Sequence, residues 1–121
     1  VVGCSRDSSK EAHRVPAYLQ AHGYRIVPVN PTADAILGER AFRSVEDIRE
    51  AYDLVEIFRP SEDVPPFVDQ ALRGPAKVIW MQTGISNDAS ARKAEAAGRI
   101  VVQDLCMRTE HMRLLGGRRA P

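Results

Sequence analysis

The amino-acid sequence predicts an α/β fold, an open, Rossmann-like, doubly wound sheet of about five parallel strands with helices on both faces. Three observations carry that expectation. Five short runs rich in Val and Ile, each too short for a helix, recur along the chain. Helical patterns with recognisable start and stop residues lie between most of them. Each run ends in small or hydrogen-bonding residues, whereas the opposite ends carry ordinary loop composition.

The first run is Val1–Val2, which breaks into Gly3-Cys4-Ser5-Arg6-Asp7-Ser8-Ser9-Lys10. A two-residue strand with no lead-in predicts that the natural chain extends upstream, with a helix as the expected missing element. Ala12–His22 reads as a helix that stops at Gly23, a good residue for closing a helix. Arg25–Val29 is the second strand and ends in Asn30-Pro31. Residues 33–52 read as a loop, a short strand or turn near Ala41–Phe42, and a brief helix capped by Ser44.

Leu54–Phe58 is the third strand and runs into Arg59-Pro60. The helix Val64–Leu72 carries Pro65 and Pro66 in its first turn, where proline loses no helical hydrogen bond. Lys77–Met81 is the fourth strand, followed by Gln82-Thr83-Gly84 and a helix from Asn87 to Ala97 that stops at Gly98. Arg99–Val102 is the fifth strand, and Thr109–Leu115 forms a short last helix. Strand–helix alternation with right-handed crossovers makes residues 1–121 one domain.

Composition narrows the function classes. The 17 basic residues are balanced by 16 acidic ones, a net charge of +1 that leaves no nucleic-acid footprint. No apolar run approaches the roughly 20 residues of a membrane span, and no signal-peptide pattern appears, so a cytoplasmic protein is the default expectation. Two cysteines are too few for a disulfide scaffold or a four-cysteine zinc site, and no metal-ligand spacing is found.

In parallel α/β sheets, ligands bind outside the carboxyl ends of the strands. The first loop also enters a helix, and free N–H groups at a helix start suit a phosphate. A nucleotide-type ligand is therefore expected. The dinucleotide fingerprint G-x-G-x-x-G is not met: Gly3 is followed by Cys4, Ser5 and Arg6, and the second strand ends in Asn30 where an acid would hold the ribose. NAD is thereby disfavoured, and the absence of G-x-x-x-x-G-K-[ST] removes the main part of a nucleoside-triphosphate site.

The ordered set Gly3-x-Ser5 with Ser9 and His13, Val29-Asn30-Pro31, Ile57-Phe58-Arg59-Pro60, Trp80-Met81-Gln82-x-Gly84 and Asp104-x-Cys106 spans nearly the whole chain. In it the sequence resembles the small stand-alone CoA-binding-domain proteins, which are similar to the CoA-binding domain of the succinyl-CoA synthetase alpha subunit. The resemblance implies a Rossmann-like fold with coenzyme A, or an acyl-CoA, across the strand ends. It implies no reaction, because the family lacks the synthetase's catalytic histidine loop and partner subunit.

Carried onto this chain, the resemblance makes Gly3, Cys4, Ser5, Arg6, Ser8 and Ser9 the diphosphate loop, with Lys10 adding charge and His13 as an orienting or capping group. Asn30 and Pro31 would border the nucleotide. Phe58, Arg59 and Pro60 would supply an apolar face and a guanidinium whose fork matches anionic oxygens. Gln82, Gly84 and Ile85 would flank the pantetheine. Each has a plainer reading: Gly3, Gly84 and Asn30-Pro31 as turns, Phe58 as core.

Cys4 and Cys106 would share the same sheet edge, and a thiol near a helix start and cations is more reactive than usual. A mixed disulfide with the CoA thiol is conceivable, against the plainer reading of buried thiols. No base–nucleophile pair or metal set stands out, which favours a non-catalytic binding module, a carrier, sensor or regulatory subunit. The alternatives are one component of an acyl-CoA ligase or transferase that needs a partner subunit, and an NAD-binding regulator. A monomer and a homodimer are both compatible with the sequence.

Overall fold

A computed structural model describes residues 1–120. Four helices, α1 (Glu11–Ala21), α2 (Val64–Leu72), α3 (Asp88–Ala96) and α4 (Met107–Leu115), surround a parallel sheet of β3 (Leu54–Ile57), β4 (Val78–Met81) and β5 (Ile100–Val102). The sheet order is β3-β4-β5, with Leu54 opposite Val78 and Val78 opposite Ile100. A small antiparallel hairpin, β1 (Ala35–Ile36) with β2 (Glu39–Arg40), lies outside it.

The expectation of five parallel strands is thus corrected to three. The runs at Val1–Val2 and Arg25–Val29 join the sheet edge through single parallel bridges, Val2 to both Val29 and Ile57, and Val29 onward to Phe42. The reason is local. Gly3 turns the chain away at φ +77°, directly after Val2. Pro28 has no N–H to give a ladder, so only its carbonyl is used, accepting from Phe42 N at 2.9 Å.

Bridges and strands together still define an order of extended segments: Phe42, Val29, Val2, β3, β4, β5. In chain order that is third, second, first, fourth, fifth, sixth, the order of a dinucleotide-binding sheet. The chain moves outward on one side of Val2, then crosses to the other. Its switch point lies at the carboxyl end of Val2.

The hairpin was not foreseen. It turns at Leu37 (φ +56°) and Gly38 (φ +75°), the two positive-φ positions of a tight two-residue hairpin loop. After it, Ser44 caps the short 3-10 turn Val45–Asp47 by accepting from Glu46 N at 3.2 Å.

Successive residues in a strand face opposite sides. Val55, Ile57, Ile79 and Met81 join Val64, Val68 and Ala71 of α2 and Ala94 of α3 in the main core. Val15 and Leu19 of α1 pack with Ile26, Phe58, Cys106 and Met107 in a second cluster. α1 contacts α4 and α2 contacts α3, so each face of the sheet has its own helix pair.

The helix ends follow their capping chemistry. Asn87 accepts from Ser90 N at 3.0 Å to start α3. Arg99 donates to the carbonyls of Ala71, Leu72, Gly74 and Ala76, satisfying the end of α2 that has no helical partners. α4 begins two residues earlier than its polar pattern predicts, because the buried Gln82 side chain accepts from Met107 N at 3.0 Å. α1 contains Pro16, and its missing N–H frees the carbonyl of Ala12 one turn back. Ser5 N donates to that carbonyl at 3.0 Å and ties the first loop to the helix.

Candidate functional site

Because the segments are parallel, their carboxyl ends share one edge, and the loops there are bonded to one another. Gly3 is the tightest point. A Cβ at this position would collide with the carbonyl oxygen of Phe58 and come within 3.3 Å of the Arg59 side chain. Only glycine lets the first loop pass this close to the end of β3, and φ +77° independently favours it. Arg59 lies over the switch point, half exposed, with one exposed ion pair to Asp63 at 3.1 Å. Pro60 next to it starts the 3-10 turn Ser61–Asp63.

The loop after Gly3 is ordered by its own side chains. Ser5 Oγ accepts from Asp7 N at 3.0 Å, and Asp7 Oδ1 accepts from Ser9 N at 2.9 Å and Ser9 Oγ at 2.6 Å. Those bonds, Ser9's above all, hold the exposed Asp7 carboxyl below the usual carboxylate range. His13 Nδ1 donates to Ser5 O at 2.7 Å, an orienting contact between helix and loop. The N–H groups of Cys4, Arg6 and Ser8 make no hydrogen bond to any described residue. Arg6 and Lys10 form no ion pair among the described residues.

The loop can therefore offer free N–H groups and two cations at the start of α1, an arrangement suited to an anion. Ser9 is committed to Asp7, so its hydroxyl reaches a ligand only by releasing that carboxylate. Asp7 is a negative charge that the sequence pattern alone does not flag as a competitor.

Asn30 is spent on structure. Its Nδ2 donates to Cys4 O at 2.8 Å, and its Oδ1 accepts from Thr32 N and Ala33 N, both at 2.8 Å. It thereby locks the second loop to the first, with Pro31 exposed in the turn between. Cys4 points its thiol into a core of Ala33, Ile36 and Ala41, fully buried. Burial pushes that thiol up to about 11. What Cys4 presents to the loop is backbone. Phe58 is half-buried against Val15, Leu19 and Ile26.

On the far side the loops after β3, β4 and β5 interlock. Gly84 N donates to Asp104 Oδ1 at 2.6 Å, Ser61 Oγ donates to Gly84 O at 3.4 Å, and Ser86 N donates to Ser61 Oγ at 3.0 Å. Ile85 N donates to Gln82 O, and Asp104 N donates to Ile85 O. Asp104 holds φ +58°, strain that this network sustains. Ser61 and Asp104 lie outside the candidate set, since their role comes from partners 20 or more positions away.

Cys106 sits at the cap position of α4, partly exposed. Burial pushes its thiol up, but hydrogen bonds from the Thr109 N–H and hydroxyl, the Gln82 amide and the Arg108 N–H outweigh it. The net direction is below the ordinary thiol value. The two cysteines thus differ: Cys4 is buried with its thiol value raised, and Cys106 is partly exposed with its thiol value lowered.

The opposite edge holds an apolar cavity of about 400 Å³ lined by residues such as Leu19, Ile26, Tyr52, Leu54 and Glu56. It is separate from the strand-end loops. Glu56 is 1 % exposed and neither carboxylate oxygen has a partner among the described residues. Burial raises it to about 7.

Residues 1–112 match the CoA binding domain family. The chain belongs to that family. It is 38 % identical over 111 residues to the uncharacterized protein YneT of Bacillus subtilis, covering 92 % of this chain and 82 % of that one. Its fold is similar to a solved structure of a hypothetical protein from Pyrococcus horikoshii OT3, with a TM-score of 0.91, 39 % identity, and 95 % and 81 % of the two chains covered. It is also 31 % identical over 91 residues to an ADP-forming acetate–CoA ligase of Archaeoglobus fulgidus, covering 73 % of this chain but 14 % of that enzyme. In this CoA-binding domain, no helix among the described residues is long and apolar enough to cross a membrane.

Proposed function

We propose that this chain binds coenzyme A, free or acylated, across the carboxyl ends of its parallel segments and acts as a non-catalytic module, a carrier, sensor or regulator. The observation that carries the proposal is Gly3. It stands at the switch point between Val29 and Ile57, packed so closely on the end of β3 that a Cβ would meet the Phe58 carbonyl, in a chain of the CoA-binding-domain family.

In this reading the diphosphate lies against the free N–H groups of Cys4, Arg6 and Ser8, with Arg59, Arg6 and Lys10 supplying charge. Ser5 and His13 hold the loop in shape, and Asn30 and Pro31 form its nucleotide-side wall. Phe58 and Pro60 give the apolar border. Gln82, Gly84 and Ile85 line the path of the pantetheine, the Gln82 side chain and the Gly84 and Ile85 N–H groups being engaged within the protein, and Cys106 stands at its margin. No step of bond making is assigned to these residues.

Calorimetric titration with CoA tests the proposal, with NAD as a competitor and mass spectrometry of the denatured protein for co-purified ligand. Heat of binding and a raised melting temperature with CoA, unaffected by NAD, are expected. No heat and no thermal shift at millimolar CoA would overturn it.

A second reading, one component of an acyl-CoA ligase, is favoured by the similarity to the acetate–CoA ligase, of which this chain spans a small part. It predicts that acyl-CoA formation from acetate, ATP and CoA appears only after a partner chain is added.

A further inference from the structure

The ribose end of the site has a feature that the motifs do not contain. Phe42 runs parallel beside Val29, and Asn30 N donates to Phe42 O at 2.9 Å. Arg43 therefore emerges at the sheet edge beside Asn30. Its Nη1 donates to Ala33 O and, at 3.4 Å, to Asn30 O, so the guanidinium is laid against the Asn30 turn. Its Nη2 donates to Asp34 Oδ1 at 2.8 Å, while its Nε–H makes no hydrogen bond to any described residue.

In sheets of this order, the end of the second segment receives the ribose of the bound nucleotide. An acid there accepts from ribose hydroxyls and repels a ribose phosphate. Here the position holds Asn30, whose amide oxygen is engaged within the protein and which presents neither a negative charge nor a free acceptor. A fixed guanidinium stands beside it instead. Its only acidic partner among the described residues, Asp34, is 95 % exposed, and such pairs are weak enough for a stronger anion to displace. A dianionic phosphate suits the fork better than one solvated carboxylate does.

Resting on the coenzyme A reading above, we infer that Arg43 is the specificity-determining residue for a phosphate on the ribose, the group that distinguishes CoA from dephospho-CoA. Arg59 is placed at the switch point and serves the diphosphate. The two arginines thus divide the anionic groups of one ligand between them.

The test titrates wild type and Arg43→Gln with CoA and with dephospho-CoA by calorimetry. Wild type is expected to bind CoA about tenfold or more tighter than dephospho-CoA, the size of one charge-assisted contact. Arg43→Gln is expected to bring the two ligands within about twofold, with dephospho-CoA affinity little changed. Loss of the brace on the Asn30 turn alone would weaken both ligands together and preserve the ratio, which overturns the inference. Asp34→Ala, which frees the fork, is expected to widen the ratio; an unchanged ratio overturns it too, and this variant serves if Arg43→Gln does not fold. Equal affinity of wild type for the two ligands refutes the role of Arg43 and leaves CoA binding standing. Binding of neither ligand refutes the CoA reading and the inference with it. A preference for NADP over NAD without one for CoA would reassign the phosphate and likewise overturn the inference.

Discussion

Replacing Gly3 by alanine separates two costs that the structure assigns to one position. The first is conformational: φ +77° lies in the left-handed region, which costs an ordinary residue about 1–2 kcal/mol. The second is steric, since the new Cβ would collide with the Phe58 carbonyl, a backbone atom held by its place at the end of β3. Gly84 supplies the control. It has φ +80° but nothing within 4 Å of its would-be Cβ, so Gly84→Ala bears only the conformational cost.

For a domain of this length, 1 kcal/mol corresponds to a melting shift of about 4 °C. Gly84→Ala is thus expected to lower the melting temperature by about 4–8 °C. Gly3→Ala adds an overpacking cost of about 1–3 kcal/mol, for a total fall of about 8–20 °C. In CoA titration, Gly3→Ala should also lose affinity at least tenfold, because relief of the collision must move the first loop away from the end of β3. Thermal melts of the three proteins at one pH decide it. If the two alanine variants melt together, the collision at Gly3 relaxes without effect, and the argument for a closely held backbone at the switch point fails.

Two further outcomes follow from titratable groups shifted by their surroundings. The ordinary value of the Glu56 carboxyl is 4.5 and burial raises it to about 7, so the folded state holds the proton more tightly than the unfolded chain. Its contribution is fully present below about 4.5 and is lost as pH rises through 7, on the order of 3 kcal/mol by linkage. Glu56→Gln should therefore match wild type near pH 4.5 and exceed it in urea unfolding at pH 8; equal pH dependence in both proteins would refute the assignment. Cys106 should react with a thiol reagent well before Cys4 in the folded protein at pH 7.5, as read by mass spectrometry of each cysteine peptide. Equal labelling, or faster labelling of Cys4, would contradict their assigned surroundings.

Much of the fold was legible along the chain because its signals are local. Asn87 caps, Gly23 stops and Pro65-Pro66 starts are properties of a residue and its near neighbours, and the helices follow them. The alternation of apolar runs and helices, and the gathering of small polar residues at the run ends, likewise needed no tertiary contact. The strand count was not legible, since Pro28 looks like an ordinary member of its run and Gly3 like an ordinary loop start after Val1–Val2. Only the pairing with Val1, Val2 and Phe42 decides whether a ladder or a single bridge forms. The hairpin at Leu37–Gly38 was masked for a related reason: Leu37 adopts a positive φ that its type does not advertise.

The sequence by itself determined the α/β class of fold and the gathering of small polar residues at one edge of the parallel strands, since both depend on periodicity and on the direction those strands share. Tertiary structure decided what each polar group at that edge is free to do. Asn30, Gln82 and Ser9 carry donors and acceptors in any reading of the chain, yet all three are engaged by Cys4, Met107 and Asp7. Arg43 has no motif around it, but the pairing of Phe42 with Val29 sets it beside Asn30. Hydrogen bonds are short-ranged, and which groups meet depends on contacts between segments far apart in sequence.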